Sequence, residues 1–215
     1  MEINHYIDST LLDQCATMKD IETLCDAAQK YHFASVCVQP YYVPLAKALL
    51  KDSNILVTTV VGFPMGMNTT STKAYEAIEA VNNGADEIDV VMNIGAIKNQ
   101  DFDYVKEEME ELRDALDGKT LKVIIEVGLL SKEEIIKMTE LCNGTFVHFI
   151  KTSTGYFPTG TVDTVRLIQE YKNDVLEIKA AGGIKTEAQV IEYIEAGATR
   201  IGTSHAVAIM EGERQ

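Results

Sequence analysis

The chain has 215 residues, of which 46% are apolar, and a formal net charge of −14. That length closes one sizeable core and leaves little for a second, so a single domain over residues 1–215 is expected. The acidity disfavours nucleic acid and anionic membrane partners, both of which attract basic surfaces.

Met1 to Asp8 carries polar and charged residues where a secretory leader needs an apolar run. No stretch approaches the run of about 18 apolar residues that a membrane span requires, and a cytoplasmic protein is expected. Cys15, Cys25, Cys37 and Cys142 include no Cys-x-x-Cys pair and read as free thiols.

Along the chain, short β-branched runs alternate with longer stretches of helical period. A first strand at Tyr6 to Asp8 precedes a helical pattern through Ile21, Leu24, Cys25 and Ala28. Ser35 to Val38 is followed by Val43, Ala46, Leu49 and Leu50, and Leu56 to Val61 by Ala74, Ile78 and Val81. Glu87 to Met92 leads to Val105, Met109, Leu112 and Leu116. After Lys122 to Glu126, Ser131-Lys-Glu-Glu134 fits a capping box that opens the helix of Ile135, Met138 and Leu141. Phe146 to Lys151 precedes Val165, Ile168 and Tyr171, and Leu176 to Ala180 precedes a second capping box, Thr186-Glu-Ala-Gln189, with Val190, Ile191 and Ile194. Arg200 to Gly202 and a helical run from Ala206 to Met210 close the series.

Strands at intervals of about 20 to 35 residues suit right-handed crossovers between parallel strands. Eight such units predict an α/β fold, a single-domain (β/α)₈ TIM barrel. An open doubly wound sheet is the competitor, but no Gly-x-Gly-x-x-Gly follows Tyr6 or Val38. A barrel places reactive side chains at the C-terminal ends of its strands.

Asp8, Asp89, Glu126, Lys151 and Lys179 fall within or at the ends of these apolar runs. A lone charge there costs several kcal/mol unless paired, so each either ties strands together or works chemically. Strands six and seven are neighbours in a barrel, which brings Lys151 and Lys179 to the same mouth. Burial and mutual repulsion then favour loss of a proton from one of them, leaving an amine able to attack a carbonyl, and Asp89 can retain and pass a proton. Glu126 could anchor a neighbouring lysine or a polar loop.

Ala180-Ala-Gly-Gly-Ile184 and Gly202-Thr-Ser-His205 are either tight turns or places where backbone amides meet an anion. His5, His32, His148 and His205 show no paired metal-ligand spacing, and His148 reads as a packed histidine. Met65 and Met67 read as lining apolar surface. An imine-forming lyase, a phosphosugar isomerase with Asp89 or Glu126 as base, and a barrel that only binds phosphorylated metabolites all fit these residues.

Longer motifs narrow the choice. They are Ile7-Asp-Ser-Thr-Leu-Leu12, Val36-Cys-Val-Gln-Pro40, Val61-Gly-Phe-Pro-Met-Gly66 with Asn68-Thr-Thr70, and Glu87-Ile-Asp-Val-Val-Met-Asn-Ile-Gly95. Lys122-Val-Ile-Ile-Glu126, Phe149-Ile-Lys-Thr-Ser-Thr-Gly155, Ile178-Lys-Ala-Ala-Gly-Gly-Ile184 and Arg200-Ile-Gly-Thr-Ser204 follow in that order. In these motifs the chain resembles the deoxyribose-phosphate aldolases over nearly its whole length.

The resemblance implies a metal-independent Schiff-base lyase that interconverts 2-deoxy-D-ribose 5-phosphate with acetaldehyde and D-glyceraldehyde 3-phosphate. It implies no cofactor, a small phosphorylated sugar as partner, and a homodimer. By matching motif, Lys151 is the Schiff-base lysine, Lys179 the lysine that tunes it, Asp89 the proton relay and Asp8 its supporting carboxylate. Cys37 falls near the aldehyde pocket without being a nucleophile, and Thr152, Gly182, Gly183, Gly202 and Ser204 fall in the substrate- and phosphate-binding segments. The chain differs from common members in having Ser9 in place of histidine and His205 in place of a second small residue. It has Tyr156 where some carry lysine, and a tail to Gln215 without the terminal tyrosine of some members.

Overall fold

In the computed structural model, which describes residues 2–212, the β-branched runs fold as eight strands. They are β1 (Ile7–Leu11), β2 (Ser35–Val38), β3 (Leu56–Val61), β4 (Glu87–Val91), β5 (Thr120–Ile124), β6 (Phe149–Lys151), β7 (Glu177–Ala181) and β8 (Arg200–Thr203). Each pairs in parallel with the next, and β8 returns to β1, where Asp8 registers with Gly202. The helices are α1 (Met18–Tyr31), α2 (Val43–Leu49), α3 (Thr70–Asn82), α4 (Ile94–Lys98), α5 (Phe102–Ala115), α6 (Lys132–Thr145), α7 (Val162–Tyr171), α8 (Glu187–Glu195) and α9 (Ala206–Glu211). The expected (β/α)₈ barrel is therefore the fold.

Both capping boxes form, at Ser131 with Glu134 and at Thr186 with Gln189. Several boundaries differ from the expected ones: β4, β7 and β8 by a single residue at one or both ends, and β1, β5 and β6 by more, each for a local reason. β1 begins one residue later and continues to Leu11, because Thr10 and Leu11 find partners in Cys37 and Val38. β6 is shortened, because Phe146 takes φ +58° and caps α6 before the chain can extend. β5 stops at Ile124, and Glu126 turns left-handed at φ +51°. The short α4 lacks a readable apolar period and is set by the Asn93 side chain, which accepts a hydrogen bond from the Ala96 amide at 3.0 Å.

Strand parity creates two interiors. Alternate residues point to opposite faces, so on β4 Ile88 and Val90 join the aliphatic layer beneath the helices, with Leu121 and Val123 of β5 and Ile150, Ile178 and Ile201 beyond them. Each such fully buried side chain contributes about 1.5–3 kcal/mol relative to exposure. Glu87 and Asp89, offset by one, belong to the barrel axis instead.

Outside the barrel, Lys73 of α3 and Glu108 of α5 form a buried ion pair of 2.8 Å. Lys73 Nζ also donates to the Val91 carbonyl at 2.7 Å, and Glu108 Oε2 accepts from the Asn93 amide at 3.1 Å. The pair thus clamps the chain as it leaves β4, just beyond Asp89. Among the described residues, no helix is long and apolar enough to cross a membrane.

Candidate active site

The axis side chains meet because of register. Asp89 lies beside Lys122, Lys151 beside Lys179, and Lys179 beside Arg200 on successive strand pairs. Lys151 Nζ donates to Asp89 Oδ2 at 2.8 Å, and Lys179 Nζ donates to the same oxygen at 2.7 Å. Lys122 Nζ takes the other oxygen, Oδ1, at 3.0 Å. Lys179 Nζ also stands 2.5 Å from Asp8 Oδ2, an ion pair directed off the line of a hydrogen bond, so that this oxygen accepts no well-aligned donor. All four of Asp8, Asp89, Lys122 and Lys179 are fully buried, whereas Lys151 retains 3% exposure toward the mouth.

Beneath them lies a set of charges that the sequence reading passed over. Arg200 Nη1 donates to Asp8 Oδ1 at 2.7 Å and to Glu87 Oε2 at 3.0 Å, and Lys122 Nζ donates to Glu87 Oε2 at 2.6 Å. Glu87 and Arg200 open their strands, and Lys122 opens its own by apolar pattern, where a charge ordinarily reaches solvent. The available signal was parity: Glu87 is two residues from Asp89 and so shares its inward face.

The two lysines divide in character. Burial pushes the Lys151 ammonium below its ordinary value, Asp89 opposes this, and the nearby Lys179 charge adds to the depression. Burial also disfavours charge on Lys179, but Asp8 and Asp89 outweigh it and hold Lys179 well above the usual lysine range. For Asp8, burial acts upward and is overcome by Lys179, Arg200 and Lys122, leaving the carboxyl well below its usual range. Asp89 follows the same pattern, with Lys122, Lys151 and Lys179 overcoming burial. Of the two, Lys151 is the one whose proton the surroundings loosen, and the one at the opening.

It opens into a cavity of 430 Å³ whose wall includes Gly182, Gly183, Gly202, Ser204 and His205. Gly182 has φ +97°, and a Cβ there would lie 2.4 Å from Thr159 Cγ2, so both conformation and space require glycine. Ser204 Oγ and His205 Nδ1 are 3.1 Å apart. Lys185, not singled out from sequence, brings a further cation to this wall. Its signal was its place one residue after the Gly-Gly-Ile turn.

The remaining expected residues are distributed unevenly. Thr152 is not among the residues that line this cavity. It is buried, and its hydroxyl donates to the Ala181 carbonyl at 3.2 Å and accepts from the Ala181 amide at 3.0 Å, so its polar atoms are spent joining β6 to β7. Cys37 is buried on the axis beside Leu12, Val60 and Phe63, where desolvation raises its thiol. Glu126 accepts from the Thr154 amide and hydroxyl and so holds the loop after Lys151, and burial raises its carboxyl.

Ser9 faces away from Asp8, toward a hollow between α1 and α9, so this difference lies off the main cavity. Tyr156 lies at the mouth, stacked edge-on against Phe63 with 5.5 Å between ring centroids. Met65 and Met67 are exposed, and His148 is exposed as well rather than packed as expected, tied down only where its Nδ1 accepts from the Leu121 amide at 3.1 Å. The tail beyond residue 212 lies outside the described residues.

Among the described residues, no three His, Cys, Asp or Glu side chains form a metal-holding group. What the site does present is a buried lysine at a cavity, a carboxylate that accepts from three lysines, and a glycine-rich stretch of cavity lining.

Residues 4–209 match the family described as DeoC/LacD family aldolase. The deoxyribose-phosphate aldolase of Dictyoglomus turgidum is 47% identical over 212 residues, covering 98% of this chain and 97% of that protein. The solved structure of an aldolase named QR15 agrees with a TM-score of 0.93 at 41% identity, over 97% of this chain and 94% of its own. The deoxyribose phosphate aldolase of Aeropyrum pernix, described as a unique tetramer, agrees with a TM-score of 0.89 at 29% identity, over 97% and 89%.

Proposed function

The chain belongs to the DeoC/LacD family of aldolases, and from that membership we infer that it cleaves 2-deoxy-D-ribose 5-phosphate reversibly to acetaldehyde and D-glyceraldehyde 3-phosphate. We propose Lys151 as the amine that carries the reaction. The observation that supports this most directly is the sharing of Asp89 Oδ2 by Lys151 and Lys179. One carboxylate oxygen cannot fully compensate two ammonium ions, and the ion nearer the mouth is the one free to release its proton.

In the cleavage direction, neutral Lys151 adds to C1 of the open-chain sugar, and loss of water gives the iminium. The C3 hydroxyl proton passes to Asp89, directly or through water, as the C2–C3 bond breaks and its electron pair enters the iminium. Asp89, held far below its ordinary value, retains a proton only in passing and so acts as a relay rather than a store. Glyceraldehyde 3-phosphate leaves, a proton returns to C2 of the enamine, and hydrolysis releases acetaldehyde and free Lys151. The iminium accepts the electrons that a metal would otherwise stabilise. Gly182, Gly183, Gly202 and Ser204, with Lys185 beside them, receive the phosphate.

Borohydride reduction in the presence of 2-deoxyribose 5-phosphate tests this reading. Peptide mass analysis is expected to find a two-carbon adduct on Lys151, and an adduct confined to Lys179, or none in turning-over enzyme, overturns it. Whole-chain catalysis by residues 1–215 as one cytoplasmic unit, self-associated as a homodimer, completes the proposal. Light scattering separates a dimer from a tetramer of the kind described for the Aeropyrum pernix protein.

A further inference from the structure

The axis of the barrel holds an uneven number of opposite charges. Three carboxylates, Asp8, Glu87 and Asp89, are interleaved with four cations, Lys122, Lys151, Lys179 and Arg200, through contacts between 2.5 and 3.9 Å. Asp8, Asp89, Lys122 and Lys179 have no solvent-exposed surface, and Glu87 and Lys151 have 3% each. A buried cluster with a surplus charge is unfavourable, and because Arg200, though the more exposed at 13%, keeps its proton, the least expensive correction is release of a proton by the lysine nearest water.

We propose that Glu87, Lys122 and Arg200, which line no part of the substrate cavity, are positioning residues that fix this surplus at one cation and thereby assign the neutral amine to Lys151. This rests on the reading of Lys151 as the imine-forming residue. Glu87 is the pivot, because it joins Lys122 to Arg200 and leaves Asp89 to be shared among three lysines. Lys122 occupies Asp89 Oδ1 and so leaves a single oxygen for Lys151 and Lys179. Arg200 neutralises part of Asp8, which would otherwise be available entirely to Lys179.

Other charged and titratable groups face Lys151 without altering the count. Cys37 on β2 is a thiol that burial keeps protonated. Glu126 beyond β5 is close enough for its charge and that of Lys151 to act on each other, but it lies outside ion-pair distance, and its oxygens are spent on Thr154. Lys185 and His205 line the same cavity and form no ion pair with the cluster. From β1, β4, β5, β7 and β8, the groups facing Lys151 are those of the cluster itself.

The proposal requires opposite effects from substitutions of opposite charge. Lys122→Met removes the surplus cation, so Lys151 holds its proton more firmly. The acid limb of kcat/KM, which reports the free enzyme, then moves up by about one pH unit. Glu87→Gln enlarges the surplus and moves the same limb down by about one unit. Lys122→Arg is expected to restore the wild-type limb, and the double variant Glu87→Gln/Lys122→Met to bring it back toward the wild-type position.

A purely structural role would lower turnover without moving the limb. Limbs that stay in place, or that move in the same direction in both single variants, overturn the proposal. If Lys122→Met fails to fold, the near-isosteric Glu87→Gln still decides it by the sign of its shift. Borohydride trapping on the wild-type protein separates the two readings. An adduct on Lys151 with unmoved limbs defeats the charge assignment alone, whereas an adduct elsewhere defeats the catalytic reading beneath it.

Discussion

Lys179 shows most clearly why position outweighs residue type. It and Lys151 occupy adjacent strands in register and reach the same carboxylate oxygen, yet the surroundings drive them in opposite directions. Lys179 faces two carboxylates and is fully buried, while Lys151 shares one and touches the cavity. Lys179→Leu is therefore expected to strengthen the hold of Asp89 on the Lys151 proton, both by removing a repelling charge and by freeing the shared oxygen. At pH 7, kcat/KM should fall by at least about tenfold, with the acid limb moving upward, since one unit of pKa corresponds to a tenfold change in neutral amine. Activity retained at the wild-type level from pH 6 to 9 would show that Lys179 does not tune the amine. The contrast was visible in outline from sequence, because two lysines ending adjacent apolar runs demanded an explanation. Which of them would be neutral was not, since that depends on the Asp8 and Arg200 contacts made across the β1–β8 seam.

At the level of elements, the strands and helices follow apolar period closely, and the departures at β5, β6 and α4 occur where one residue takes a left-handed backbone or a side chain caps a turn. Phe146 is apolar and adjacent to a β-branched run, so nothing in its identity announces that it caps a helix. The charges at Glu87, Lys122 and Arg200 were overlooked for a related reason. At the start of a strand a polar residue ordinarily marks the exit from the core, but in a closed barrel the inward face stays inward along the whole strand. The Lys73–Glu108 pair behind β4 was equally hidden, since both residues sit in amphipathic helices where a charge is expected to face water. Removing one partner, as in Lys73→Met or Glu108→Gln, leaves the other buried and unpaired and should cost about 3–5 kcal/mol. The double variant Lys73→Met/Glu108→Leu should cost less than the sum, by a coupling measurable in urea unfolding. Strict additivity would mean that the two side chains act independently.

For the whole molecule, acid should expose how much of the fold leans on its ionised interior. Asp8 and Asp89 are both held below the usual value of 3.8, so their stabilising contribution is complete above that value and is lost as pH falls toward their folded values. Lys179, held above 10.5, keeps its contribution until strongly alkaline pH, while Lys151 acts in the opposite sense. Stability measured by the urea midpoint is expected to be nearly level from pH 5 to 8 and to decline steeply below about pH 4, despite the relief of repulsion as the net charge of −14 diminishes. A midpoint unchanged to pH 3 would contradict this. The alternation that places aliphatic residues under the helices and ions on the axis also bears on how the chain finds its pairing. Advancing any strand such as β4 or β5 by a single residue would exchange the two sets, sending Glu87, Asp89 or Lys122 into the helix layer and Ile88 or Val123 onto the axis. Each misplaced ion would be stranded without a partner, so the same charges that surround Lys151 also penalise every slipped register and help to single out one pairing of the barrel.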